Sequence, residues 1–296
     1  MPGPFSLYIN MNLSSPAAVN ALLKRYNLQP RRRFGQNFLV DSNVLARIVD
    51  AGAVVQGGQV LEIGSGLGVL TQALAEAVTL SGRVVTVEVD RNLLPVLTET
   101  VGNLPQVRVV SNDALEIDWS AFIPQNFTDA PIAVIANIPY NITSPLIATF
   151  LEQRARYSVV VLLVQKEVAT RIAAPAASPD YGAFSVFVQY HAEVDIVMTV
   201  SRRVFYPAPD VDSAVIRLKP RRQPPVEVAD EALFSRVVRA AFGQRRKALV
   251  NALSGDPTLG WERSKAAAAV DAAGIDPGRR GETLSMEEFA RIANAG

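Results

Sequence analysis

The chain has 296 residues, a hydrophobic fraction of 49% and a formal net charge of +1, enough for a full core spread over one large and one small domain. It has no cysteine and a single histidine, His191, which excludes disulfides, thiolate zinc sites and multi-histidine metal centres, and no metal is expected. No apolar run approaches the ~20 residues of a membrane span, and Met1 to Asn12 lacks the charged-then-apolar order of a signal peptide, so a cytoplasmic protein without membrane contact is expected.

Ser15-Pro16 reads as an N-cap followed by proline in the first turn of a helix that runs to about Tyr26. Arg31-Arg32-Arg33-Phe34-Gly35-Gln36-Asn37-Phe38-Leu39 is then a basic, aromatic loop. Asp41 caps a second helix with Val44, Leu45, Ile48 and Val49 on its inner face. Strands are expected near Val60–Ile63, Val84–Val89, Val107–Val110, Ile132–Ala136 and Ser158–Val164, with helices between them near Val69–Ala77, Arg91–Val101 and Ser144–Gln153. This alternation implies a mostly parallel sheet with helices on both faces. After Val168–Ala173 the pattern changes. Phe184–Tyr190, Val194–Val200 and Ser213–Leu218 read as strands without intervening helices, hence an antiparallel edge, with His191 in a strand. Arg221-Arg222-Gln223-Pro224-Pro225 reads as a linker. Helices follow near Glu231–Phe242, Lys247–Leu253, Arg263–Ala273 and Met286–Asn294. The expected domains are an N-terminal helix and loop over residues 1–40, an α/β domain over 41–223 and a helical domain over 224–296.

Three strand ends carry a coherent set of groups. Leu61-Glu62-Ile63-Gly64-Ser65-Gly66-Leu67-Gly68 closes a strand and opens a helix, and its glycines let the backbone approach a ligand. The G-x-G-x-G spacing is not that of the dinucleotide fingerprint. The next strand ends in Glu88-Val89-Asp90, where a carboxylate can accept both hydroxyls of a ribose. The third is followed by Asn112-Asp113-Ala114, and Asp113 can receive an adenine amine. A glycine turn alone is also a common structural feature. The three together suit an adenosine cofactor without a pyrophosphate, for which S-adenosylmethionine is the natural candidate.

The fourth strand end is Asn137-Ile138-Pro139-Tyr140. Its amide both donates and accepts, its proline fixes the backbone, and its tyrosine offers a flat face. In isolation the tetrad is an ordinary strand-to-helix turn. Beside the cofactor groups it becomes a holder for a planar heterocycle with an exocyclic amine, such as adenine.

Charge is segregated. Residues 1–40 hold five basic side chains and no acidic one, and residues 201–247 hold eleven basic against five acidic. Arg202-Arg203, Arg221-Arg222 and Arg245-Arg246-Lys247 are therefore candidate phosphate contacts, although charge runs are often only solvated surface.

From about Arg33 to Leu253 the chain resembles the small-subunit ribosomal RNA adenine dimethyltransferases of the KsgA/RsmA type. The marks are Phe34 to Leu39, Leu61 to Gly68, Asn112 to Ala114, Asn137 to Ile142, Val164 to Ala169, Phe205 to Ser213 and Ala241 to Lys247. The resemblance implies a Rossmann-like class I methyltransferase sheet of seven strands and a small all-helical C-terminal domain. It implies transfer of two methyl groups to N6 of each of two adjacent adenosines near the 3′ end of small-subunit rRNA. By the same resemblance Asn37, Leu39, Gly64, Glu88, Asp113 and Asn137 touch S-adenosylmethionine, joined by Gly66 from the glycine turn. The basic loop closes over the cofactor. Asn137, Ile138, Pro139 and Tyr140 present the target base, with Phe205 as its second aromatic bracket. The chain departs from the family at Ile138, where leucine is common, and at Asp210, where a basic residue is common. The expected partner is small-subunit rRNA in the assembling small subunit, and a monomer is expected. Two alternatives stay open: a resistance-type methyltransferase acting on large-subunit rRNA, and a non-catalytic ribosome-assembly factor.

Overall fold

The computed structural model describes residues 13–31, 34–244 and 246–296; Met1 to Asn12, Arg32, Arg33 and Arg245, which figure in the sequence reading, lie outside the described residues. In chain order the strands are β1 (Phe38–Leu39), β2 (Gln59–Ile63), β3 (Arg83–Glu88), β4 (Val107–Ser111), β5 (Ile132–Asn137), β6 (Tyr157–Gln165), β7 (Ala192–Val200), β8 (Phe205–Tyr206) and β9 (Ser213–Pro220). The helices are α1 (Pro16–Arg25), α2 (Ser42–Ala51), α3 (Val69–Val78), α4 (Leu94–Thr100), α5 (Trp119–Asn126), α6 (Thr143–Glu152), α7 (Lys166–Ala173), α8 (Ala183–His191), α9 (Glu231–Gly243), α10 (Leu249–Ser254), α11 (Arg263–Ala272) and α12 (Met286–Asn294).

All five residues of β2 are buried, as expected of a strand covered on both faces, where the apolar run is continuous rather than alternating. β2 lies inside a seven-stranded sheet of order β4-β3-β2-β5-β6-β9-β7. Strands β2 to β6 pair in parallel, and β9 runs antiparallel to β6. The chain builds from β2 to one edge through β3 and β4, then crosses back to β5 on the other side. That reversal leaves a crevice beyond the carboxyl ends of β2 and β5, where open α/β sheets bind ligands.

Side-chain caps open several of the helices. Ser15 Oγ accepts from Ala18 N at 3.2 Å to open α1, and Asp41 Oδ1 accepts from Asn43 N and Val44 N at 2.9 and 3.0 Å to open α2. Each removes an unpaired N–H from a helix terminus. Asp118 does the same for α5, a helix absent from the sequence reading because Pro124 stands within it.

One expected strand is a helix. Residues 183–191 form α8, so the edge beyond β6 comprises β9 and β7, and His191 ends a helix. Phenylalanine, valine and tyrosine favour strands on average, but packing decides. Phe184 stacks on Phe187 with ring centroids 6.1 Å apart, and Phe187 meets His191 edge-on at 4.7 Å. Those steps of three and four residues are helical neighbours. Ser185 Oγ accepts from Gly182 N at 3.0 Å and closes the first turn.

The described residues divide into two compact units. The first runs up to Ala169 and adds Asp195–Pro220; the second joins Thr170–Val194 to Arg221–Gly296. The second unit thus takes in α8, ahead of the linker at residues 221–225. It has its own core, built around Phe234, Val237, Leu253, Trp261, Leu284 and Phe289. In the first unit, Phe150 of α6 is wholly buried, edge-on to Trp119 and Tyr157 with centroids 5.5 Å away in each case. Phe150→Ala leaves a cavity there, and urea unfolding is expected to show a loss of about 3–5 kcal/mol.

Candidate cofactor pocket and base-holding tetrad

The crevice between β2 and β5 holds a pocket walled by residues 34–39, 63–67, 87–89, 112–114 and 137–140. Four strand ends and one N-terminal segment therefore meet there. Gly64 and Gly66 have φ of 80° and 58°, a region that side chains other than glycine rarely adopt. A Cβ on Gly66 would lie 3.3 Å from the Phe38 ring, and one on Gly64 would lie 3.4 Å from the Asn137 carbonyl oxygen. Bare backbone at these positions lets the N-terminal segment and the tetrad close on the turn.

Glu88 is 5% exposed. Its Oε2 accepts from Gly66 N and its Oε1 from Asp90 N, both at 2.9 Å. Burial pushes its carboxyl pKa up, against the pull of those N–H donors. A carboxylate has about four acceptor positions, so capacity for a vicinal diol remains. Asp113 Oδ1 accepts from Leu115 N at 2.9 Å, which fixes the carboxylate at the end of β4. These groups and the apolar walls fit an adenosine cofactor.

The N-terminal segment is fastened at Asp90. Gln36 Nε2 and Arg31 Nη1 donate to its carboxylate at 2.8 and 3.3 Å. Burial alone would raise the Asp90 pKa, but the donors of Asn92 and Gln36 and the Arg31 charge hold it below the usual range. Beyond this clasp Asn37 and Leu39 reach the pocket wall.

In the tetrad, Asn137 Nδ2 donates to the Asn37 carbonyl at 3.3 Å. That bond assigns the amide orientation and leaves Oδ1 as the acceptor for a ligand. Ile138 is buried at its side chain and stands in the pocket wall. Pro139 packs under Gly35, where an added Cβ would approach to 3.2 Å. Tyr140 lies on the pocket wall, and its hydroxyl shares a 2.8 Å hydrogen bond with Ser213 Oγ.

Phe205, the second aromatic of the sequence expectation, stands behind the pocket. It sits in β8, opposite Leu39 of β1, is 4% exposed and belongs to the core cluster with Leu39 and Ile48. Its ring packs beside Leu39 and Ile48, which themselves line the pocket. Tyr206, the next residue, is exposed and pairs with Phe38.

Among the basic candidates, Arg202 and Arg203 are exposed on the first unit, Arg202 donating from Nη1 to the Asp210 carbonyl at 3.2 Å. On the second unit Arg222, Arg246 and Lys247 are exposed. Arg221 is engaged within that unit, with Nε on the Gln189 carbonyl at 3.3 Å and Nη1 on Glu193 at 3.4 Å.

The family model described as ribosomal RNA adenine dimethylase matches residues 27–295. The chain belongs to this family. It is 44% identical over 289 residues to ribosomal RNA small subunit methyltransferase A of Geobacillus thermodenitrificans, covering 97% of this chain and 98% of that one. With the protein of the same name from Moorella thermoacetica the identity is 46% over 287 residues, covering 95% and 98%. Among solved structures, the 23S rRNA methyltransferase ErmE superposes with a TM-score of 0.64 at 29% identity, over 87% of this chain and 98% of that chain. A dimethyladenosine transferase from Plasmodium falciparum shares the fold, with a TM-score of 0.69 at 23% identity over 86% and 95%. Members of this family are S-adenosylmethionine-dependent methyltransferases, and the pocket is the candidate site for that cofactor.

Three features around the pocket escaped the sequence reading. Gln36 and Asp90 stand inside quoted motifs, but their bond spans 54 positions and nothing local announces it. The third is a polar layer beneath the glycine turn. Glu62, wholly buried, accepts from Thr71 Oγ1 at 2.6 Å, and the Ser65 and Thr86 hydroxyls share a 2.5 Å bond. Burial pushes the Glu62 carboxyl up to about 7, against the Thr71 and Thr86 hydroxyls and with help from the Glu88 charge.

The fold therefore keeps a proton that the unfolded chain releases near 4.5. Stability contributed at this site falls as pH rises from 4.5 toward 7 and stays low above it. Glu62→Gln is expected to remove that decline and to be the more stable protein at about pH 8, by up to about 3 kcal/mol. Urea unfolding across a pH series checks this; a variant that declines in parallel with the parent places the titration elsewhere.

Proposed function

We infer that the chain uses S-adenosylmethionine to dimethylate N6 of two adjacent adenosines near the 3′ end of small-subunit (16S) rRNA, during assembly of the small subunit. The observation that carries the chemistry is the Asn137 amide, whose nitrogen is given to the Asn37 carbonyl and whose oxygen remains for an amine. The substrate choice is supported by relatives at 44% and 46% identity that are small-subunit enzymes, against 29% for the large-subunit enzyme ErmE.

When bound, S-adenosylmethionine supplies an electrophilic methyl group on a sulfonium. Gly64 and Gly66 give it bare backbone, Glu88 accepts from its ribose, Asp113 accepts from its adenine amine, and Asn37 and Leu39 cover it. The acceptor is the harder problem, because the N6 lone pair of adenine is delocalised into the ring. Asn137 Oδ1 and the Ile138 carbonyl accept hydrogen bonds from the target amine. Both bonds favour a more tetrahedral nitrogen with its lone pair directed outward. Pro139 fixes the backbone that carries those two acceptors. Orientation of this kind contributes up to ~7–11 kcal/mol. The amine proton becomes acidic as the N–C bond forms and leaves to solvent, so the site needs no strong base. Tyr140 gives the unstacked base a ring to lie on, and stacking contributes ~1–3 kcal/mol per base.

Exposed Arg202 and Arg203 on one unit and Arg222, Arg246 and Lys247 on the other bind RNA phosphates in this reading, and Arg245 shares that assignment from sequence. The chain acts as a monomer in the cytoplasm, where the small subunit assembles; no described helix is long and apolar enough to cross a membrane.

Asn137→Ala is expected to lower the methylation rate by about 10²-fold or more. Tyr140→Ala is expected to lower turnover by about tenfold or more while leaving cofactor affinity within about twofold. Single-turnover methyl transfer and calorimetric cofactor binding separate the two; an equal collapse of both makes Tyr140 structural. Neutralising Arg246 and Lys247 together is expected to flatten the slope of log K for RNA against log salt by about 2. An unchanged slope removes this surface from the footprint.

A further inference from the structure

Ser213 is the first residue of β9, and its side chain is 0% exposed. Because β9 runs antiparallel to β6, with Ser213 opposite Gln165, its start lies at the carboxyl ends of the parallel strands, beside the tetrad. Its neighbour Asp212 is held on both sides. The Asp212 carbonyl accepts from Lys166 N at 3.0 Å, and Oδ1 accepts from Arg202 N at 2.9 Å. The hydroxyl of Ser213 is therefore mounted on a fixed strand end. Its partner is the Tyr140 hydroxyl at 2.8 Å.

A fully buried hydroxyl is costly unless it is hydrogen-bonded. An alanine would fill this place at the head of β9 without that cost. The same question arises at position 140, where stacking needs only a ring and the phenol oxygen is surplus. One bond answers both. We propose that Ser213 is a positioning residue for methyl transfer, holding the Tyr140 phenol so that the ring is set before the unstacked adenine arrives. Pro139 fixes the backbone at one end of the side chain, and Ser213 fixes its tip. This rests on Tyr140 as the ring on which the base stacks.

The second methyl transfer depends on this anchor more than the first. An adenine amine has two N–H groups to offer Asn137 Oδ1 and the Ile138 carbonyl. After one methylation a single N–H remains, so one of those bonds is lost. The ring face then carries a larger share of the positioning. A loosened Tyr140 is therefore expected to stall the enzyme at monomethyladenosine.

The test compares Ser213→Ala, Tyr140→Phe, the double variant and Ser213→Thr on small ribosomal subunits lacking the modification, with mass analysis of the adenosines. Tyr140→Ala runs as a control for stacking. Each of the first two is expected to lower kcat about fivefold, raise the monomethyl-to-dimethyl ratio and leave cofactor Kd unchanged. The double variant is expected to be no worse than either single one, because both remove the same bond. Ser213→Thr, which keeps the hydroxyl, is expected to restore dimethylation. Parent-like product ratios in both single variants, losses that multiply in the double, or matched losses of cofactor affinity and thermal stability each overturn the proposal. If Tyr140→Ala is inactive while Ser213→Ala and Tyr140→Phe match the parent, Ser213 alone is misassigned. If Tyr140→Ala turns over normally, the stacking assignment fails, and Ser213 falls with it.

Discussion

Glu88 is a carboxylate almost out of reach of water, and it stays there because two backbone N–H groups point at it. One belongs to Gly66, so the carboxylate holds the glycine turn at the end of β2. The other belongs to Asp90, so it also sets the chain that leaves β3. The position of the carboxylate and the shape of the glycine turn are thus one constraint. A turn that relaxed away from Glu88 would lose the close approach to Phe38 that its missing Cβ permits. Satisfied donors and acceptors are what make such a buried polar site tolerable.

From Asp90 the constraint passes to the N-terminal segment. Gln36 and Arg31 fasten that segment to Asp90, and Asn37, one residue on, turns its carbonyl to the Asn137 amide. The segment that walls one side of the pocket therefore also orients the Asn137 amide. The N-terminal segment and the tetrad thus share a direct physical link. Preorganised groups of this kind need no rearrangement as charge develops.

The parallel sheet was legible because its strands are buried on both faces and so read as apolar runs, bounded by polar strand ends. The glycine turn, Glu88, Asp113 and the tetrad were legible because they are residue types that a buried strand does not use, and the fold brings them to one pocket. What escaped was tertiary. Residues 183–191 have strand-forming side chains, but Phe184, Phe187 and His191 pack at helical spacing. Ser213 stood in a quoted motif with no role, because its partner is 73 positions away. Sequence periodicity reports which face is buried, and not which distant polar group a buried hydroxyl meets.

The most direct measurement is transfer of labelled methyl groups to small ribosomal subunits lacking the modification and, in parallel, to large-subunit rRNA, with mass mapping of the products. Two adjacent N6,N6-dimethyladenosines near the 3′ end of the small-subunit rRNA are expected. Label confined to large-subunit rRNA would contradict the substrate, and absence of label from both with cofactor still bound would contradict the enzyme.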